Sequence, residues 1–372
     1  MSGPVVFFAG GGTGGHLFPS VAVLERLIDL VGPSFTPHFL CSRRPIDAEI
    51  LGREHLTFST IPARPLGLRP AVLARFILGW PSAVREARRV IRRITRETGG
   101  KAVMLTTGGF VSAPAVRAAV GEGVPVVMLN LDAVPGRANR WIAGRATRRL
   151  TSAPVRGHAG WDRIGPVVRR AALPPGSAEA CRARAGLDPS SPVLLVCGAS
   201  LGASSINEMM TALASAPTSL LRRGWQVLHQ TGSGEAERVR RAYAEAGVRA
   251  VVEPFVAEMG VWWGSADLAV ARAGAGLVAE AWASRTPTVF MPYPYHRDQH
   301  QRANALPLVE AGGARVEADA IEPGRNIRGA GAVIEELMGD GGTRSTMREA
   351  LARLGSADGA GAAAGVLASF LR

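Results

Sequence analysis

A glycine-rich turn near the start of the chain constrains the fold more strongly than any other stretch. Residues 10–16 read Gly-Gly-Gly-Thr-Gly-Gly-His and directly follow an apolar run at residues 5–9. Apolar side chains then recur with helical spacing, at Leu17, Val21, Leu24 and Leu27. The pattern predicts a β-strand, a tight turn and the beginning of an α-helix.

This turn is also suited to an anion. Glycine lets the backbone approach a ligand closely, and a helix N-terminus presents unpaired N–H groups with a partial positive charge. The segment is neither the Rossmann dinucleotide fingerprint nor a P-loop, because no Gly-Lys-Ser/Thr follows it. A turn without a ligand is the alternative, although five glycines in six positions exceed what a turn requires.

Short apolar runs alternate with helical stretches along the whole chain. Strands are predicted at 5–9, 38–41, 102–106 and 124–129, and again at 193–197, 225–230, 251–255, 268–271 and 287–291. The alternation indicates an α/β protein with two Rossmann-like, doubly wound parallel-sheet domains that face each other across a cleft. We place these domains at 1–165 and 166–355. A last helix, in 356–372, can pack on either domain and is assigned to the first.

The net charge of +13 limits the classes of ligand and partner. Nucleic acid is disfavoured because no recognition motif is visible, which leaves an anionic membrane surface or an anionic substrate. No apolar run reaches the length of a membrane-spanning helix, and the sequence shows no signal peptide. The cysteines, Cys41, Cys181 and Cys197, lack metal-ligand spacing and indicate reduced thiols of a cytosolic protein.

One helical stretch carries an apolar stripe, which we define as Leu73, Phe76, Ile77 and Trp80. Pro81 follows it and is expected to kink or restart the helix. The arginines around the stripe are Arg69, Arg75, Arg85, Arg88, Arg89, Arg92 and Arg93. One interpretation is that the stripe is part of the core, and the other is that it is a face that enters a bilayer while the arginines contact anionic head groups. The two interpretations can share residues.

Two further turns follow predicted strands in the first half, at residues 107–114 and 130–136. In a doubly wound sheet such turns gather at the carboxyl ends of the strands, where ligands bind. We therefore expect one crevice to be lined by His16, Phe110, Ser112, Asn130 and Asp132.

The second half has the features of a nucleotide site. Glu280 lies about one helical turn beyond a glycine turn, where a carboxylate can accept hydrogen bonds from both ribose hydroxyls. Backbone N–H groups at Gly276 and Leu277 can hold a diphosphate, and Ser200 and Arg272 are further candidate donors.

A segment rich in histidine and glutamine follows the last predicted strand. Gln301 and His300 suit hydrogen bonds to sugar hydroxyls. A metal site is disfavoured, because His296 and His300 have only one carboxylate nearby and no spacing for a closed site.

Four segments together resemble the MurG family of inverting glycosyltransferases, and the resemblance covers nearly the whole chain. They are residues 10–16, 198–203, 272–280 and 298–307. The resemblance implies a GT-B fold and transfer of N-acetylglucosamine from UDP-N-acetylglucosamine to the 4-hydroxyl of the N-acetylmuramoyl unit of undecaprenyl-linked lipid I. The product would be lipid II for peptidoglycan. The resemblance also implies no cofactor, a peripheral position on the cytoplasmic face of an anionic cell membrane, and other cell-wall synthesis proteins as partners.

The resemblance implies roles for individual residues. The nucleotide would be held through its ribose by Glu280 and through its uracil by the backbone of Val256. The diphosphate and sugar would be held by Ser200, Arg272, Ala275, Gly276, Leu277, His300 and Gln301. The acceptor would be held by Thr13, Gly14, Gly15, His16, Asn139 and Arg169. The membrane would be met by Leu73, Phe76, Ile77 and Trp80.

The chain departs from the family pattern at three places, all in the first domain or at the domain junction. Residues 129–132 read Leu-Asn-Leu-Asp where the family has His-Glu-Gln-Asn. Phe110 replaces a tyrosine, and Pro166 replaces the asparagine of an Asn-Pro-Val-Arg segment. A catalytic base near the attacking hydroxyl is worth roughly 10²–10⁴-fold. His16 is one candidate, and Asp132, where the family has asparagine, is the second.

Three other functions are weighed against this one. They are transfer to a different acceptor, UDP-sugar epimerisation, and a non-catalytic membrane scaffold that binds a UDP-sugar. The altered segment 129–132 supports the scaffold. The His16 turn and the Gln301 segment oppose the epimerase, and the intact His16, Glu280 and Gln301 oppose the scaffold.

Overall fold

The computed structural model describes residues 3–67, 69–155, 160–198, 202–295 and 298–372. The chain forms two compact units. The first unit contains Met1–Arg169 and Asp358–Arg372, and the second contains Arg170–Ala357. The sequence analysis had placed the boundaries at residues 165 and 355.

The first unit is a parallel sheet with helices on both faces. Its described strands are β1 (Gly3–Ala9), β2 (Thr36–Cys41), β3 (Phe58–Thr60), β4 (Gly99–Thr106), β5 (Val126–Asn130), β6 (Arg148–Thr151) and β7 (Asp162–Arg163). Their order across the sheet is β3-β2-β1-β4-β5-β6-β7. The helices between them are α1 (Gly14–Val31), α2 (Pro45–Arg53), α3 (Pro70–Thr98), α4 (Ser112–Gly121) and α5 (Arg137–Ala143).

The second unit repeats this architecture. Its strands are β8 (Val193–Cys197), β9 (Gln226–Gln230), β10 (Ala250–Glu253), β11 (Leu268–Ala271), β12 (Thr288–Phe290) and β13 (Ala314–Val316), in the order β10-β9-β8-β11-β12-β13. Its main helices are α6 (Ala178–Arg184), α7 (Ser204–Ser215), α8 (Ala236–Glu245), α9 (Met259–Ser265), α10 (Ala275–Ser284), α11 (His300–Glu310), α12 (Pro323–Asn326), α13 (Ala332–Gly339) and α14 (Gly341–Arg353). A π-helical segment, Ile327–Gly331, joins α12 to α13.

The first strand of each sheet explains why helices cover both faces. Val5, Val6, Phe7, Phe8 and Ala9 are all fully buried, so successive side chains of β1 enter the core on opposite sides. β1 pairs with β2 on one edge and β4 on the other, and β8 pairs with β9 and β11 in the same way. Each sheet therefore changes its winding direction beside its first strand, and a crevice opens there at the carboxyl ends.

The predicted fold class is confirmed by these two sheets. The strands that the sequence analysis missed, β3, β6, β7 and β13, have two to four residues each and leave little periodicity to detect. Of the two outcomes expected at Pro81, a kink or a restart of the helix, the restart is wrong, because α3 runs through Pro81 without interruption.

The C-terminal helix α15 (Gly359–Ala368) packs against α1 in the first unit. The helix begins against residues 165–166, because the backbone N–H of Gly359 donates to Pro166 O at 2.9 Å and an added Cβ on Gly359 would collide with the backbone of Gly165. No helix in the described part of the chain combines the length and apolarity needed to cross a bilayer.

Candidate functional site

The glycine turn after β1 is built around two glycines with positive φ. Gly11 has φ +156° and Gly12 has φ +91°. A Cβ at Gly12 would lie 2.5 Å from the ring of Phe110, so the turn packs directly on that ring. At Gly12 a side chain is excluded both by the backbone conformation and by the neighbouring ring.

A buried carboxylate holds this turn in place. Asp47, near the start of α2, accepts hydrogen bonds from Gly12 N at 2.8 and 2.9 Å and from the backbone and hydroxyl of Ser42 at 2.9 and 2.6 Å. Arg44 donates to Gly12 O at 2.9 Å, and its guanidinium lies 5.1 Å from the ring centre of Phe110. The sequence analysis missed Asp47, because no local signal links it to a turn 35 residues earlier.

His16 lies in the first turn of α1, half-buried behind this loop. Thr107 Oγ1 donates to its carbonyl at 2.7 Å, and a Cβ at Gly109 would come within 3.0 Å of its ring. Its Nδ1 atom is buried and has no hydrogen-bond partner among the described residues. Burial lowers the pKa of His16, and the charge of Asp132 opposes this effect. At neutral pH the imidazole is therefore uncharged and able to accept a proton.

Some side chains at the turn after β5 are buried, and others line a pocket. Asn130 is fully buried, donates to Asp132 O at 2.7 Å and to Thr151 Oγ1 at 3.1 Å, and accepts from Asn139 Nδ2 at 3.1 Å. Ser112 is also fully buried and donates to Ala9 O at 3.0 Å. The expectation that Asn130 and Ser112 line the crevice is therefore wrong. Both support the turns on which the crevice residues lie.

One open pocket in the first unit joins the predicted catalytic residues to part of the apolar stripe. It has a volume of ≈ 980 Å³. Its polar lining includes His16, Asp132 and Asn139, and its apolar lining includes Pro65, Leu66, Phe76, Ile77, Trp80, Phe110 and Trp141. We call this cavity the His16 pocket. It is suited to a molecule that carries a polar group next to an apolar one.

Two of the four residues of the apolar stripe are exposed. Ile77 is 59% exposed and Leu73 is 38% exposed, whereas the buried residues of α3 begin at Ala83. The rings of Phe76 and Trp80 lie 5.5 Å apart. Leu73 and Ile77 therefore do not belong to the core, whereas Phe76 and Trp80 are half-buried, and the ring of Trp80 packs on that of Trp141 with centres 5.9 Å apart.

The other predicted acceptor residues differ in their exposure. Thr13 and Gly15 are exposed, while Gly14 is buried against the ring of Phe18. The guanidinium of Arg169 lies 4.1 Å from the ring centre of Phe18 and 3.7 Å from the carboxylate of Glu54. Arg169 thus packs its guanidinium on Phe18 and pairs its charge with Glu54, both in the first unit.

In the second unit, the first turn of α10 borders open space. Gly274 precedes the helix, and a Cβ on Gly274 or Gly276 would meet no atom within 4 Å. Gly276 is exposed, and Ala275 and Leu277 are half-buried. The turn therefore leaves room for a ligand beside the unpaired N–H groups of a helix N-terminus.

Glu280 is oriented by a tryptophan. Trp263, in α9, is almost fully buried, and its Nε1 donates to Glu280 Oε2 at 2.7 Å. This bond fixes the carboxylate between one and two helical turns from the start of its own helix. The sequence analysis predicted Glu280 but not Trp263, whose role depends on the packing of α9 against α10.

Arg272 faces the interior of the second unit. Its terminal nitrogens contact Asp319 Oδ2 at 2.7 Å, Met291 O at 2.8 Å and Ser205 Oγ at 2.9 Å. These bonds tie the end of β11 to the end of β12 just before the α10 turn. The structure therefore places Arg272 as a support of this turn.

The remaining donor-side predictions lie at the carboxyl edge of the second sheet. Gln301 accepts a hydrogen bond from Tyr293 N at 2.8 Å, and His300 Nδ1 lies 2.7 Å from Asp298 Oδ1. Val256 is buried, and Phe255 beside it is exposed. Ser200 and His296 lie outside the described residues. In the described part of the chain, no group of three or more His, Cys, Asp or Glu side chains is arranged to hold a metal ion.

Comparisons with known proteins point to the same family for both halves of the chain. Residues 6–151 match the model of the glycosyltransferase family 28 N-terminal domain, and residues 193–358 match that of its C-terminal domain. A relative from Acidithiobacillus ferrooxidans is 37% identical over 314 residues, which cover 84% of this chain and 83% of the relative. One from Acidothermus cellulolyticus is 36% identical over 361 residues, covering 95% and 94%.

Both relatives are named UDP-N-acetylglucosamine–N-acetylmuramyl-(pentapeptide) pyrophosphoryl-undecaprenol N-acetylglucosamine transferase. Among solved structures, the crystal structure of Acinetobacter baumannii MurG superposes with a TM-score of 0.74 at 22% identity and covers 99% of each chain. This structural likeness shows the fold.

Proposed function

Because the chain belongs to glycosyltransferase family 28, we propose that it transfers N-acetylglucosamine from UDP-N-acetylglucosamine to an N-acetylmuramyl-(pentapeptide) pyrophosphoryl-undecaprenol acceptor, which is lipid I. The product is lipid II, the disaccharide-bearing precursor of peptidoglycan. The first unit binds the acceptor, and the second binds the donor.

The His16 pocket is the observation that carries the acceptor assignment. The acceptor joins a sugar to a long prenyl chain through a pyrophosphate, so its site needs polar and apolar walls in one cavity. The pocket provides both, because His16 and Asp132 share it with Phe76, Ile77 and Trp80. The change at residues 129–132 leaves this arrangement in place, since Asp132 still lines the pocket.

The start of α10 supports the donor assignment. The open turn at Gly274 and Gly276 can accept the diphosphate, and Glu280, fixed by Trp263, can accept hydrogen bonds from the ribose diol. Gln301 and His300 lie at the same edge of the sheet, where sugar hydroxyls can reach them. Arg272 acts through the turn that it supports.

The reaction inverts the anomeric carbon. The 4-hydroxyl oxygen of the acceptor forms a bond to that carbon while the bond from the carbon to the diphosphate oxygen breaks, and UDP leaves. The α10 N-terminus stabilises the negative charge that grows on the diphosphate. Uncharged His16 accepts the hydroxyl proton, and the nearby charge of Asp132 stabilises the imidazolium that forms.

The apolar stripe indicates a peripheral position on a membrane. Leu73 and Ile77 project from α3 next to the pocket that receives the lipid-linked acceptor, and arginines flank the stripe. Apolar side chains enter the interface while arginines attract anionic head groups. We place the chain on the cytoplasmic face of that membrane and expect other cell-wall synthesis proteins as partners.

The test is to mix the purified protein with UDP-N-acetylglucosamine and a short-chain lipid I analogue. We expect release of UDP together with a disaccharide product. If calorimetry shows donor binding but no product forms, the chain transfers to another acceptor or is a binding protein. If the donor does not bind, the donor assignment itself is wrong.

A further inference from the structure

An exposed aromatic pair lies on the loop after β12. Tyr293 is 40% exposed and Tyr295 is 68% exposed, and their rings pack edge to face with centres 5.4 Å apart. The remaining tyrosine of the chain, Tyr243, is buried. Two neighbouring aromatic rings held in this way on a surface loop present a fixed apolar wall to solvent.

Two contacts of Tyr293 place it beside the candidate donor site, and the ring contact with Tyr295 brings the second ring next to it. The backbone N–H of Tyr293 donates to Gln301 Oε1 at 2.8 Å, which ties the loop to the start of α11. The guanidinium of Arg272 lies 5.8 Å from the centre of the Tyr293 ring. Arg272 immediately precedes the Gly274 turn and is itself anchored by Asp319 at 2.7 Å. Tyr293 therefore lies between the turn suited to a diphosphate and the residues suited to sugar hydroxyls.

The bond from Tyr293 also orients Gln301. Because Oε1 accepts the backbone N–H, the Nε2 group of Gln301 is directed to act as a donor. A hexopyranose attached to a diphosphate at α10 needs a donor for a ring hydroxyl and an apolar surface for its C–H face. Gln301 and the tyrosine pair offer these two features side by side.

We infer that Tyr293 and Tyr295 form an aromatic wall against which the pyranose ring of the transferred sugar packs. This inference rests on the proposed function and refines its donor site. The C–H groups of one pyranose face carry small positive partial charges, and they are attracted to the negative face of an aromatic ring. The wall acts on the sugar and leaves the nucleotide to the α10 turn and Glu280.

Calorimetry with two nucleotides separates these contributions. We compare the binding of UDP and of UDP-N-acetylglucosamine to the wild-type chain, Tyr295→Ala and the matched control Tyr295→Phe, which keeps the ring. We expect Tyr295→Ala to weaken UDP-N-acetylglucosamine binding about 3- to 10-fold and to leave UDP binding unchanged. Tyr295→Phe should bind both nucleotides within about twofold of the wild-type chain.

A second variant guards against an indirect effect of one substitution. Tyr293→Leu keeps the backbone N–H that bonds to Gln301 and removes only the ring, so it should show the same selective loss. Equal affinities for UDP-N-acetylglucosamine in the wild-type chain and both ring-deleted variants would overturn the inference alone. Equal weakening of both nucleotides would overturn it as well, because the loop would then affect the site as a whole. A wild-type chain that binds neither nucleotide would overturn the proposed function together with the inference.

Discussion

Both carboxylate oxygens of Asp47 accept hydrogen bonds from the backbone N–H of Gly12, at 2.8 and 2.9 Å. Gly12 lies in the turn after β1 and Asp47 lies in α2, and the Asp47 side chain is fully buried. The conformation of the loop that precedes His16 therefore depends on a side chain in α2, and the stability of this contact can be measured.

Replacing Asp47 should destabilise the first unit. Asp47→Ala leaves the buried N–H groups of Gly12 and Ser42 without their acceptor, and we expect a loss of about 2–4 kcal/mol in the free energy of unfolding. Urea unfolding of Asp47→Ala is compared with that of the exposed Asp162→Ala, for which a change below about 0.5 kcal/mol is expected. Similar unfolding midpoints for the two variants would show that the hydrogen bonds of Asp47 contribute little to the stability of the first unit.

Replacing His16 should slow the reaction without weakening the donor. We expect His16→Ala to lower kcat by roughly 10²–10⁴-fold, because the attacking hydroxyl loses its proton acceptor. UDP binding, measured by calorimetry, should be unchanged, since the nucleotide is assigned to the second unit. His55→Asn changes an exposed histidine of the same unit and serves as the control. Full turnover of His16→Ala at saturating substrate would exclude His16 as the base.

The pH profile should reveal the coupling between His16 and Asp132. A base must be uncharged to accept a proton, so kcat/KM should fall as the pH drops through the lowered pKa of His16. The charge of Asp132 raises that pKa, and Asp132→Asn removes this contribution. We therefore expect the acid limb of Asp132→Asn to lie at lower pH than that of the wild-type chain. A limb that stays in place or moves to higher pH would contradict the assignment.

The tryptophan that orients Glu280 should affect nucleotide affinity. Trp263→Phe keeps most of the buried volume but removes the N–H that donates to Glu280 Oε2 at 2.7 Å. We expect UDP binding to weaken about 3- to 10-fold, in line with the net worth of one typical hydrogen bond, about 0.5–1.5 kcal/mol. Glu280→Gln should weaken it at least as much. Unchanged UDP affinity in both variants would remove Glu280 from the donor site.

The apolar stripe should control membrane binding. Changing Phe76, Ile77 and Trp80 to serine removes three large apolar side chains, each worth about 1.5–3 kcal/mol when buried. We expect the triple variant to be released from vesicles that contain anionic phospholipid in a sedimentation assay. A double variant of exposed α1 residues, Ile28→Ser with Leu30→Ser, should bind like the wild-type chain. Retention of the triple variant would show that the bilayer is contacted elsewhere.

The sequence predicted the fold and much of the site because both depend on local patterns. Apolar strands followed by glycine turns identify the carboxyl edge of each sheet, and the family resemblance is confirmed by the two domain models and the curated relatives. The residues that were missed, Asp47 and Trp263, act over separations of 35 and 17 positions, which no local pattern records.

Burial was the second source of error. Asn130 and Ser112 lie in the predicted turns, but their polar atoms are directed inward to satisfy neighbouring backbone and side-chain groups. That Arg272 donates to a diphosphate stays a prediction, and its guanidinium already contacts Asp319 Oδ2 at 2.7 Å. A polar residue at the end of a strand can either face a ligand or satisfy a buried neighbour, and only the packing decides between these outcomes.

The His16 pocket has a geometric consequence for acceptor choice. Its apolar wall and the proposed base His16 belong to one compact unit, so in the proposed membrane-bound state the depth at which Ile77 enters the bilayer would set the height of His16 above the lipid surface. A hydroxyl reacts only if its own linker holds it at that height. The chain would thus select its acceptor by the distance between sugar and lipid. An otherwise identical sugar on a longer or shorter linker would not bring its hydroxyl to His16.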